Sequence, residues 1–182
     1  MTLAPQDIQG VTLRELTTLA DERGAFTETF RRTWLPADRR DVAQSNFSRS
    51  RAGVLRGMHF HRRQTDWWVV LDGTAFVALC DLREGAATHG KVATVTITVE
   101  AAAGLRALRI PPGVAHGFCA LTDVILQYLV DTEYDGSDEE GFAWDDPGAG
   151  IPWPLEHPVV SDRDAHNPPL ASVLGVPPPS GG

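Results

Sequence analysis

The stretch from Gly53 to Gly73 reads Gly-Val-Leu-Arg-Gly-Met-His-Phe-His-Arg-Arg-Gln-Thr-Asp-Trp-Trp-Val-Val-Leu-Asp-Gly and carries His59, His61 and Asp66. In an extended chain, residues two apart share a face, so His59 and His61 project together. A second stretch, Pro111-Pro-Gly-Val-Ala-His116-Gly-Phe, uses a tight turn to deliver a further histidine onto a following strand. Three imidazoles and a carboxylate form a donor set for a divalent transition ion such as iron, nickel, zinc or manganese, with the carboxylate offsetting part of the charge. The same side chains also suit proton transfer, because a histidine titrates near neutral pH and can take a proton there. A ligating His59 has given up its lone pair, so the two chemistries compete for that residue.

Such a constellation needs a rigid frame, and the surrounding sequence reads as β. From Ala93 to Val99 apolar residues alternate with Thr94, Thr96 and Thr98, the pattern of a half-buried strand. Trp67–Leu71, Ala75–Leu82, Leu105–Ile110 and Val124–Val130 are further short β-like runs. Asp72-Gly73, Arg83-Glu84-Gly85, Pro111-Pro112-Gly113 and Asp135-Gly136 bound them with turn chemistry. Helix is expected only as a turn or two within Thr33–Asp41 and after Ser161. Many short strands with regular turns point to an all-β sandwich or barrel. The segment from Gly148 to Pro158 reads as an extended surface wrap. Residues 1–175 form one expected domain, and the Pro- and Gly-rich 176–182 a disordered tail by composition.

A chain of 182 residues fits a single domain that buries a sizeable core without staples. Cys80 and Cys119 sit inside apolar runs and read as reduced core residues, which suits the cytoplasm. Met1–Gly10 lacks the apolar stretch of a signal peptide, and no run approaches the roughly 20 apolar residues that span a bilayer. A formal charge of −8 argues against nucleic acid as a partner. It leaves room for a phosphorylated small molecule held by local arginines, and Arg23, Arg31, Arg32, Arg49, Arg51, Arg56, Arg62 and Arg63 are grouped early in the chain. There is no Gly-rich dinucleotide fingerprint.

The spacing Gly-x5-His-x-His-x4-Asp-x6-Gly, followed by Pro-x-Gly-x2-His, resembles the two metal motifs of the cupins, with Asp66 where Glu is usual. Gly104 lies seven residues before Pro111, and Ala120 takes the usual Asn place, so the second motif departs from the pattern. A broader resemblance, from about residue 10 to 170, is to the dTDP-4-dehydrorhamnose 3,5-epimerases, a cupin branch. It rests on Asp21-Glu-Arg-Gly-Ala-Phe-Thr-Glu28, Gln44-Ser-Asn-Phe-Ser48, Gly53-Val-Leu-Arg-Gly-Met-His59 and Asp81-Leu-Arg83. It continues through Ile110-Pro-Pro-Gly-Val-Ala-His-Gly-Phe118, Tyr128-x5-Tyr134, Glu139, Trp144-Asp-Asp-Pro147, Ile151-Pro-Trp-Pro154 and Ser161-Asp-Arg-Asp164.

The resemblance implies a cupin double-stranded β-helix (jelly roll), a homodimer, and epimerisation at C3, C5 or both of a dTDP-linked 4-keto-6-deoxy sugar without a cofactor. It makes His59 the general base, Asp164 the carboxylate that orients it, and Tyr128 the proton donor on the opposite face of the sugar. It places Gln44, Asn46, Arg56, His116, Glu139 and Arg163 in the substrate pocket. Tyr134 falls near the base or sugar, and Arg23, Phe26 and Glu28 reach the nucleotide, partly from a neighbouring subunit. One departure bears on the chemistry: Asp66 stands where the family has a lysine that stabilises the developing oxyanion. A metal held by His59, His61, Asp66 and His116 would restore positive charge there. The alternative function is therefore a metal-dependent oxygenase, isomerase or lyase on the same scaffold, and a non-catalytic ligand binder is a third.

Overall fold

The computed structural model describes residues 4–35, 41–101 and 103–174. Its strands are β1 (Thr12–Glu15), β2 (Thr18–Asp21), β3 (Gly24–Thr27), β4 (Gln44–Ser50), β5 (Leu55–Phe60), β6 (Asp66–Asp81), β7 (Val92–Val99), β8 (Arg106–Ile110), β9 (Val114–Ala120), β10 (Val124–Val130) and β11 (Glu140–Gly141). Among the described residues the one α-helix, α1, spans Asp162–Ala165, beside three short 3-10 turns. Strands that alternate apolar and polar residues bury one face each, and they do so here by stacking two antiparallel sheets. One sheet sets β1, β8, the first half of β6, β10 and β4 side by side. The other sets β7, the second half of β6, β9, β5 and β11 side by side. This is the all-β jelly roll the resemblance implies.

β6 corrects the expected turn at Asp72-Gly73, because the strand runs through it and serves both sheets. The register against β10 shifts between Ile125 and Leu126, which bends the strand where it changes sheet. Gly73 has φ +87°, and a Cβ there would lie 1.9 Å from the Asp123 carbonyl oxygen. A glycine at this point therefore marks a close crossing of two chains.

Alternation then decides which side chains enter the barrel. Met58 and Phe60 pack with Cys80, Leu82, Phe142 and Leu170 in a cluster on one face of their sheet. Ile151 and Trp153 of the C-terminal wrap cover that cluster, and Trp153 Nε1 donates to the Trp144 carbonyl at 2.7 Å. With its two neighbours drawn outward, His59 must face inward. On β6, Trp67 leans against Phe30 and Trp34 with ring centroids 5.8 and 6.0 Å away, while Asp66 and Trp68 line the interior. The core between the sheets gathers Val70, Val77, Leu79, Ile97, Phe118 and Leu126.

The expected helical turn in Thr33–Asp41 is realised as a 3-10 turn at Arg32–Trp34, and 36–40 lie outside the described residues, as does the expected tail. Cys80 and Cys119 are buried and free, and burial pushes the Cys80 thiol up to about 12. No helix among the described residues is long and apolar enough to cross a membrane.

Candidate active site

A cavity of about 320 Å³ opens between the sheets. Each element contributes what alternation allows: β4 gives Gln44 and Asn46, β5 Arg56 and His59, β9 His116, and β10 Tyr128. The turn after β10 adds Tyr134, the approach to β11 adds Glu139, and α1 adds Arg163 and Asp164. Residues more than a hundred positions apart thus share one cavity wall.

His59 is placed by a distortion in its strand. The β5–β9 register shifts between Arg56 and His59, and Gly57 in that interval has φ +131°. A Cβ on Gly57 would lie 2.7 Å from Gly117 Cα, so the two strands can approach only through a glycine. Asp164 meets His59 from α1: its Oδ1 is 2.6 Å from His59 Nε2, and its Oδ2 accepts from the Gly57 N–H at 3.2 Å. Ser161 caps α1 by accepting from the Asp164 N–H at 3.1 Å, which holds the carboxylate in place. Burial alone would raise the Asp164 carboxyl, but the hydrogen bond and charge of His59, with Gly57 and Ser161, outweigh it and hold it below the usual carboxylate range. An ionised carboxylate only accepts, so His59 Nε2 carries the ring hydrogen and Nδ1 keeps the lone pair. The pair is a base with its tautomer fixed by an acid, the logic of a serine-protease dyad.

Tyr128 comes from the other sheet, where it stands opposite Asn46 on β4 and Trp68 on β6. Burial, then the charges of Asp66 and Glu139, raise its phenol above the ordinary value, so it stays protonated at neutral pH. A base on one sheet and a proton-bearing phenol on the other face a shared cavity.

His61, Asp66 and His116 form a separate group whose ligand atoms lie within 4.8 Å of one another. His59 is not part of it. The expected four-residue set is brought together only in part: His59 pairs through Nε2 with Asp164, and His61, past the end of β5 at Phe60, turns to the Asp138 carbonyl. Burial, the largest effect, pushes the His116 imidazole down to about 4 against the pull of Asp66, which keeps the ring neutral.

The remaining expected residues divide in two. Gln44 donates to Asn46 Oδ1 (2.7 Å) and accepts from the Tyr134 N–H (2.9 Å), which ties the pocket rim together. Arg163 donates to Glu139 Oε1 at 2.5 Å. Arg56 donates from Nε to Ser50 Oγ at 2.9 Å and pairs with no carboxylate among the described residues. Arg23, Phe26 and Glu28, by contrast, lie away from the cavity of their own chain. Arg23 pairs with Asp21 and Glu28 with Arg31, while Phe26 sits 68% exposed across the β2–β3 hairpin from Leu19, itself 65% exposed. Sequence reasoning missed Gln64, which donates to Asp66 Oδ2 at 3.2 Å, and Asp138, whose carbonyl holds His61. Gln64 shares a face with Asp66 by its spacing of two and could have been found that way. Asp138 left no local signal.

A jelly roll whose mouth holds an imidazole–carboxylate pair facing a phenol is built for moving protons on and off a bound small molecule. The family model described as dTDP-4-dehydrorhamnose 3,5-epimerase matches residues 5–172. The dTDP-4-dehydrorhamnose 3,5-epimerase of Methanothermobacter thermautotrophicus is 36% identical over 171 residues, covering 90% of this chain and 91% of that protein. The protein of the same description from Neisseria gonorrhoeae is 40% identical over 151 residues; the match covers 79% of this chain but only 45% of that longer relative. Among solved structures, a 3'-monoepimerase from Streptomyces bikiniensis in complex with dTDP-quinovose superposes with a TM-score of 0.85 at 31% identity, covering 97% of this chain and 93% of that one. This chain belongs to the dTDP-4-dehydrorhamnose 3,5-epimerase family. These relatives favour the epimerase reading over the metal-dependent oxygenase or lyase.

Proposed function

We propose that this protein epimerises C3, C5 or both of a dTDP-linked 4-keto-6-deoxy sugar. The observation that carries the reading is the 2.6 Å pairing of His59 with a buried, ionised Asp164 at the wall of a sugar-sized cavity. A hydrogen on carbon beside a ketone is weakly acidic. His59 Nδ1 takes it, the C–H electrons move to the ketone oxygen as an enolate, and Asp164 stabilises the resulting imidazolium. Tyr128, from the opposite sheet, returns a proton to the other face of the carbon and is reprotonated afterwards. The cycle is redox-neutral, and the proton steps themselves call on no cofactor.

Arg56 and the exposed hairpin supply the rest. Arg56, which pairs with no carboxylate among the described residues, offers its charge to a phosphorylated ligand. Arg23, Phe26 and Glu28 project from β2–β3 away from their own cavity, which suits a homodimer in which each hairpin serves the neighbour's site. Two free, buried cysteines suit a reducing cytoplasm.

Proton NMR of dTDP-4-keto-6-deoxyglucose incubated with the enzyme tests the reading. Changed ring couplings at C3, C5 or both support it; a spectrum showing only starting sugar overturns it. Light scattering on the eluted protein tests the dimer.

A further inference from the structure

Asp66 is only 3% exposed, yet it faces a cavity and has no lysine or arginine partner among the described residues. Gln64 gives it one neutral hydrogen bond at 3.2 Å, and His61 Nε2 stands 3.9 Å from its Oδ2. A buried carboxylate so poorly compensated is costly unless a cation joins it. In an enzyme that builds an enolate in the same cavity, it would also repel the developing charge.

Two imidazoles next to it are already turned for that cation. A backbone carbonyl only accepts, so His61 must donate from Nδ1 to the Asp138 carbonyl (2.9 Å), and His116 from Nδ1 to the Val114 carbonyl (3.1 Å). Each ring therefore keeps its lone pair on Nε2. An Nδ1–H held by a carbonyl with Nε2 left basic is the outer-shell arrangement of metal-binding histidines. The clasp on His61 is itself anchored, because the Asp138 carboxylate accepts from the Arg62 and Arg63 N–H groups at 3.0 and 3.1 Å. His116 is wedged edge-on against Trp68, centroids 5.0 Å apart, with the His61 ring 5.7 Å away.

We propose that His61, Asp66 and His116 bind a divalent first-row transition ion, with coordination positions left open toward the cavity that His59 and Tyr128 share. Two nitrogen donors and one carboxylate suit such an ion, whereas calcium and magnesium call for oxygen donors. Donors bound about 2.1 Å from a tetrahedral ion lie about 3.4 Å apart, so the 3.9 Å separation of His61 and Asp66 closes with a small side-chain adjustment. His59 is not among the three donors brought together, so the ion leaves the base intact. When bound, it supplies fixed positive charge beside the ketone oxygen, in the place where the family carries a lysine. That role rests on the epimerase reading; the site itself does not.

Cobalt(II) is the probe. The full chain, stripped with EDTA and dialysed, is titrated with Co²⁺ and followed by visible d–d absorption and calorimetry. The expected result is one ion per chain. His61→Gln and Asp66→Asn each weaken binding by at least about a hundredfold, more than loss of an outer-shell partner would, while His59→Asn leaves it unchanged. Thermal melts confirm that the variants are folded, and absence of uptake by wild type is decisive even where one is not. No saturable uptake by wild type, or equal affinity in wild type, His61→Gln and Asp66→Asn, overturns the proposal. The titration needs no sugar, so it can fail while epimerisation persists, and succeed where epimerisation is absent.

Discussion

His59 Nε2 and Asp164 Oδ1 meet at 2.6 Å although 105 positions of chain separate them. The contact requires a glycine-bearing strand distortion on one side and a capped helical turn on the other. If Asp164 sets the tautomer of His59, then Asp164→Asn lowers kcat by about 10²–10⁴-fold, with KM and melting temperature little changed. Steady-state kinetics beside a thermal melt check this. A merely structural Asp164 would lower stability and leave kcat per folded molecule unchanged.

Tyr128 faces the cavity from the opposite sheet. Tyr128→Phe removes the donor and keeps the ring. It should leave exchange of the substrate C–H with solvent largely intact and suppress the inverted product. Mass spectrometry for exchange and NMR for configuration, run on one sample, separate the two.

Gly57 combines a positive φ with a neighbouring strand 2.7 Å from any Cβ. Gly57→Ala should cost about 1–3 kcal/mol from the backbone conformation alone. Denaturant unfolding measures that loss, and activity per folded molecule should fall too, because the same segment sets His59.

Acid should weaken the fold through its paired carboxylates. Asp81 is fully buried; burial would raise its carboxyl, but Arg83, bonded at 2.8 Å from Nε and Nη2, and Thr88 at 2.6 Å outweigh burial and hold it low. Its folded pKa lies below the unfolded value of about 3.9, so its contribution is complete above that pH and is lost as pH falls through the folded pKa. Asp164 and Glu139 act in the same direction. Urea midpoints should therefore drop below about pH 4. Asp81→Asn should flatten that drop and cost about 1–3 kcal/mol at neutral pH, since it weakens the charge-assisted bonds to Arg83.

Much of this molecule is legible in its sequence, for local reasons. The alternation read from Ala93 to Val99 falls in β7, which begins one residue earlier at Val92, because one face of that strand is wet and the other dry. The paired tryptophans split as alternation requires: Trp67 packs outward and Trp68 lines the cavity. What local pattern cannot carry is a strand shared between two sheets. Asp72-Gly73 has turn composition, but the glycine serves a close crossing inside β6. Nor can spacing alone assign His59. Its position beside His61 suggests one ligand set, and only the return of α1 gives it to Asp164. The Asp138 clasp on His61 is a backbone contact 77 positions away, invisible to side-chain type.

The mechanism depends above all on His59 removing a hydrogen from carbon. The direct measurement is solvent deuterium incorporation into dTDP-4-keto-6-deoxyglucose, with wild type and His59→Asn compared at equal concentration. Incorporation at C3, C5 or both is expected with wild type, and a loss of about 10²–10⁴-fold in its rate with the variant. No incorporation with wild type, or equal incorporation with both proteins, would contradict it.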